Sequence, residues 1–181
     1  MFISILGRQP EISLAELEAV FGKENVRQLS PQAAAIDTPD FNLSILGGST
    51  KAGRVVFEHP LGQLNGLKAY IDVSRKIAHD YQKKWRSADR KITLGISSYN
   101  FRITPRDVQK TGLLLKSSLK KDGVSLRLIP NSDLALSTAT SFNNKLGQSE
   151  AKVELMVIKS NSSIIVAESI GAQNITAYAK R

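Results

Sequence analysis

The chain has 181 residues, 41% of them hydrophobic, with no cysteine and a net charge of +9. That length suits one large or two small domains whose core needs neither disulfides nor metal, and the hydrophobic share excludes a disordered tail. The lack of cysteine removes any disulfide framework or thiolate zinc site and agrees with a cytoplasmic setting, and no apolar run approaches the roughly 20 residues that cross a bilayer. The charge is uneven. Residues 1–90 hold 12 Lys/Arg against 10 Asp/Glu, a net of +2, whereas residues 91–181 hold 13 against 6, a net of +7. An excess gathered in one half suggests a polyanionic partner, usually a nucleic acid.

Phe2 to Leu6 reads as a short buried strand closed by Gly7. A helix follows from Ser13, with Glu16 completing a capping box, Leu14, Leu17, Val20 and Phe21 on one face, and Gly22 as its stop. Val26 to Ala34 and Ala35 to Thr38 are weak strands broken by Pro31 and Pro39. Asp40 to Leu46 fits neither the helical nor the strand period, Gly47 to Thr50 is a turn, and Arg54 to Glu58 is a strand. A strand–helix–strand–strand–helix–strand order would make this first stretch ferredoxin-like.

Gly62 to Gly66 reads as a linker, and Leu67 to Trp85 as a helix with a basic end. Ile92 to Ile96 is a strand. Thr104 to Asp122 is the clearest helix: Thr104 caps it, Pro105 takes the first turn and Gly123 stops it. Val124 to Ile129 is a strand carrying Arg127, Leu134 to Leu146 a short helix, and Val153 to Lys159 with Ile164 to Ile170 a hairpin.

The helix from Thr104 is polarised. At about 100° per residue, Arg106, Lys110, Lys116, Lys120 and Lys121 share an arc of about 140°, opposite a stripe of Val108, Gly112, Leu115 and Leu119. Such a face suits phosphates, although an ordinary solvated surface has the same look. Arg102 and Arg127 flank the helix and add planar donors. The run from Ser137 to Lys145 is rich in hydroxyls and amides that suit sugars and base edges, or equally helix caps. Tyr99 and Phe101 suit base stacking or, more often, a core. No Walker loop, glycine-rich dinucleotide loop or metal-ligand spacing occurs.

The segment from about Lys68 to Arg181 resembles a THUMP domain. The resemblance rests on Leu115-Lys116-Ser117-Ser118-Leu119-Lys120, then Val124 to Arg127, Leu136 to Ala139 with Asn144-Lys145-Leu146, Glu154 to Val157, and Ile170 to Ile175 leading to Tyr178 and Lys180-Arg181. Leu6 to Glu11 with Leu14 to Ala19 is similar to the leader of one branch, the tRNA guanine methyltransferases. The resemblance implies an α+β chain: a ferredoxin-like N-terminal domain over residues 1–64 and an α/β THUMP RNA-binding domain over 65–181.

It further implies a tRNA partner, gripped at its single-stranded 3′ end, and a methyltransferase domain in cis. That domain would use S-adenosylmethionine and an Asp/Asn-Pro-Pro-aromatic tetrapeptide, neither of whose motifs is found here, so this chain is expected to bind rather than catalyse. The expected phosphate contacts are Arg102, Lys110, Lys116, Lys120, Arg127 and Lys145, and the expected base or sugar contacts Thr138, Ser141, Asn143 and Asn144. The carry-over from the family is firmest at Arg127, Asn144 and Lys145. Three other readings stand beside this one: a THUMP module serving thiolation or deamination, a non-catalytic ribosome-binding module, and a small-molecule enzyme of ferredoxin-like build.

Overall fold

The fold is taken from a computed structural model that describes residues 1–64 and 66–174. Its elements run β1 (Phe2–Leu6), α1 (Pro10–Phe21), β2 (Val26–Ser30), β3 (Ala33–Ile36), β4 (Ser49–Pro60), α2 (Gly66–Trp85), β5 (Ile92–Tyr99), α3 (Pro105–Lys121), β6 (Leu126–Leu128), α4 (Thr138–Asn143), β7 (Lys152–Lys159) and β8 (Ser163–Ala172). The eight strands make one sheet in the order β2-β3-β1-β4-β8-β7-β5-β6. The class is α+β.

Strands β4, β1, β3 and β2 pair antiparallel in the ferredoxin-like order. The second helix of that plan is reduced to a single 3-10 turn, Leu43–Ile45. Asn42 caps this turn by accepting from the Ser44 amide at 3.0 Å, and Phe41 and Leu46 go inward on either side. β4 is longer than Arg54 to Glu58: it takes in the expected turn at Ser49-Thr50 and runs on to Pro60. Its first part pairs with β1 and its length from Lys51 to Pro60 pairs with β8, so the sheet is continuous through the chain.

α1 begins at Pro10, three residues before the expected cap. Ser13 is instead buried and donates to the Gln9 carbonyl at 3.0 Å. Glu16 is drawn away from capping: its carboxylate accepts from the Gly47 and Gly48 amides at 2.7 and 2.8 Å. α3 keeps its predicted start, with the Asp107 carboxylate accepting from the Thr104 amide at 3.0 Å and from its hydroxyl at 2.7 Å.

α1, α2 and α3 cover one face of the sheet. Ile164 and Val166 of β8 pack into the core under α2 and α3, and Ile170 of the same strand packs into the core under α1. The other face closes on itself. Ile3, Ile5, Leu29, Ala33 and Ala35 from the first strands join Tyr99, Met156, Ile158, Ile165 and Ala167 from the last in one buried cluster. β2 touches β7, although four strands lie between them in the sheet, so the sheet is strongly curled around this concave face. α4 lies on the concave side, where Leu136 and Leu146, just before and after it, pack with Ile129.

Candidate nucleic-acid interface

β5 lies between β6 and β7 and runs parallel to both. In that register Thr93 is opposite Arg127 on one side and Lys152 on the other. Residues directly paired across strands project to the same face. Leu126 and Leu128 face α3, so Arg127 points to the concave side, and the same alternation against Val153 sends Lys152 there too. Two cations thus flank Thr93 on one rung, with Cα atoms about 10 Å apart across two strand spacings. Arg127 is exposed and Lys152 half-buried.

α4 brings further residues to this side. Ser137 caps it by accepting from the Thr140 amide at 3.0 Å. It ends in a Schellman motif: the Lys145 amide donates to the Phe142 carbonyl at 2.9 Å and the Leu146 amide to the Ser141 carbonyl at 3.0 Å. The left-handed residue of that motif is usually glycine, but here it is Lys145 at φ 56°. Leu136 and Leu146 sit on Gly95, where a β-carbon would lie 2.5 Å from Leu136 Cδ1 and 3.0 Å from Leu146 Cδ1, so the close approach depends on the missing side chain. The Gly147 amide then donates to the Lys152 carbonyl at 2.7 Å, which ties the Lys145 turn to the rung.

The ten expected contact residues therefore do not form one cradle. Arg127, Asn143 and Lys145 lie on the concave side and are exposed. Lys110, Lys116 and Lys120 are exposed on α3, on the opposite face of the sheet. Period-two alternation is the reason: a strand whose leucines face the helix must send its arginine the other way. Lys116 and Lys120 fall on the same side of α3 as Gly112, which packs on Leu128 of β6, so they border the free edge of the sheet. Lys110 points outward and pairs with Asp107 at 3.1 Å. Among the described residues, Lys116, Lys120, Arg127 and Lys145 have no carboxylate within 4 Å.

Arg102 is exposed beyond the far end of β5, about 20 Å along the strand from the Thr93 rung. Ser141 is fully buried, and its hydroxyl donates to the Ser137 carbonyl, so it cannot meet a ligand. The Asn144 side chain is half-buried and one of its amide hydrogens goes to the Thr140 carbonyl at 2.9 Å, and Thr138 is half-buried in the first turn of α4. Tyr99 and Phe101 are core residues, 5% and 6% exposed, which removes them as stacking platforms. Lys152 was missed because its partnership with Arg127 runs through β5, and parallel registers between distant segments leave no local signal. The Ile175 to Arg181 part of the resemblance lies outside the described residues.

His59 Nε2 lies 2.7 Å from Asp72 Oδ2, and His79 lies beside Asp80. No group of three His, Asp or Glu residues able to hold a metal occurs among the described residues. No described helix is long and apolar enough to cross a membrane.

No protein-family model matches the chain, and no curated protein sequence does. Solved structures do. TrmN from Thermus thermophilus aligns over 95% of this chain and 46% of its own length, at 11% identity and a TM-score of 0.52. A possible methylase from Clostridium difficile 630 aligns over 93% of this chain and 40% of its own, at 13% identity and a TM-score of 0.50. The chain shares the fold of the aligned part of TrmN. It spans less than half the length of either structure.

Proposed function

We propose that this chain is a THUMP-type RNA-binding region that holds tRNA by its single-stranded 3′ end for modification by a domain outside these residues. The Arg127–Thr93–Lys152 rung carries this reading, with Lys145 and Asn143 brought beside it by α4. Cations without carboxylate partners suit phosphates, and the exposed Asn143 amide suits a splayed base or a sugar hydroxyl. Lys116 and Lys120 extend the contact around the β6 edge. The fold shared with TrmN and with a possible methylase supports methyl transfer as the reaction served, in a protein about twice this length.

The methyl donor in that reading is S-adenosylmethionine, and these residues do not fit it. The glycine pair Gly47-Gly48 has its amides occupied by Glu16. The Asp/Asn-Pro-Pro-aromatic tetrapeptide does not occur. Binding is the role of this chain, and catalysis belongs to the domain in cis.

The test is a binding titration of the whole chain with tRNA and with tRNA lacking its unpaired 3′ nucleotides. Micromolar binding that weakens on truncation and in the Arg127→Ala, Lys152→Ala double variant is the expected outcome. Equal affinity for intact and truncated tRNA removes the end-recognition reading, and binding that ignores the double variant removes the site.

A further inference from the structure

We propose that the buried Lys51–Glu154 pair positions the RNA-facing turn, so that the N-terminal half of the sheet sets the geometry of a site carried by the C-terminal half. What the turn binds rests on the reading above; the network itself does not.

Lys51 stands on β4 and Glu154 on β7, with β8 between them. Their backbones are about 10 Å apart, and only a long side chain closes that gap. Lys51 is 2% exposed and Glu154 0%. The ammonium donates to Glu154 Oε1 at 2.6 Å and to the Leu136 carbonyl at 2.7 Å. Ser97 on β5 completes the circuit: its hydroxyl donates to the same Oε1 at 2.5 Å and accepts from the Leu136 amide at 2.9 Å. Both backbone groups of Leu136 are thus fixed by side chains from two strands, and one of those strands is β4.

Leu136 is the residue before Ser137, the cap of α4, and α4 ends at the Lys145 turn. The network therefore anchors the point from which the helix and its turn are aimed. A buried ion pair contributes little stability beyond what apolar side chains of the same volume would give. Directed bonds to the N–H and the C=O of one residue supply placement, which non-directional packing does not.

The experiment is amide hydrogen exchange on the free chain for wild type, Ser97→Ala and Lys51→Met/Glu154→Leu, paired with tRNA titration. Exchange about tenfold faster over residues 136–146, with β1 and β3 amides unchanged, is expected in both variants, together with a several-fold loss of tRNA affinity. Ser97→Ala removes one hydroxyl and keeps the test alive should the double variant fold poorly. Unchanged exchange over 136–146, or an increase spread evenly over the chain, overturns the proposal. Local loosening in a chain whose tRNA affinity is indifferent to this and to Arg127→Ala leaves the positioning intact and overturns the RNA reading instead.

Discussion

The proposed tRNA binding has a salt dependence that tests which cations would touch the RNA. Each phosphate neutralised on a single strand contributes about −0.7 to the slope of log affinity against log salt. Counterion release then makes one contact worth about fourfold in affinity at 0.15 M salt, and three contacts about fiftyfold. Arg127, Lys145 and Lys152 are the three cations assigned to the concave side. Each alanine variant is expected to weaken binding about fourfold and flatten the slope by about 0.7. Lys110→Ala should do neither, because Lys110 lies on the opposite face beside Asp107. Fluorescence anisotropy with labelled tRNA from 50 to 300 mM salt reads both quantities. A Lys110→Ala effect equal to that of Arg127→Ala would refute the assignment of the site to the concave side.

Three further outcomes follow from the geometry. Lys145→Gly relieves a left-handed backbone that costs lysine about 1 kcal/mol, so Tm should rise by about 2–3 °C while tRNA affinity falls; a lower Tm would contradict the Schellman reading. Gly147→Ala forces a side chain onto φ +86° with its β-carbon 2.7 Å from the Ser169 carbonyl oxygen, and should cost about 1–3 kcal/mol in urea unfolding. A neutral result would mean the turn is looser than described. The Thr104 hydroxyl and amide hold the Asp107 carboxyl below its ordinary 3.8. A depressed folded-state value gives stability that is present above the unfolded-state value and lost as pH falls through the folded one. Asp107→Asn should therefore lower Tm at pH 7, the difference from wild type closing as the pH drops below 4. A gap that stays constant with pH would sink the capping role.

Much of the second half was legible because its signals are local. The Thr104 cap, the Pro105 start and the Gly123 stop define α3 within a few residues, and the hairpin of β7 and β8 follows from its serine-rich turn. Ser13 misled because a serine followed by a glutamate three residues on has the form of a capping box. The competing partners of Glu16, the amides of Gly47 and Gly48, lie over 30 residues away. The cations of α3 and Arg127 were grouped by nearness in sequence and by shared charge, and the sheet runs between them.

Composition and order of residues determined the class of the fold, the basic character of the second half and the identity of most of its exposed cations, since these depend on periods of 3.6 and 2 and on charge. Only the tertiary structure decided which cations share a surface. That choice depends on parallel strand registers, on the curl that buries the concave face, and on a lysine reaching across β8 to Glu154, all of which join segments more than 30 residues apart.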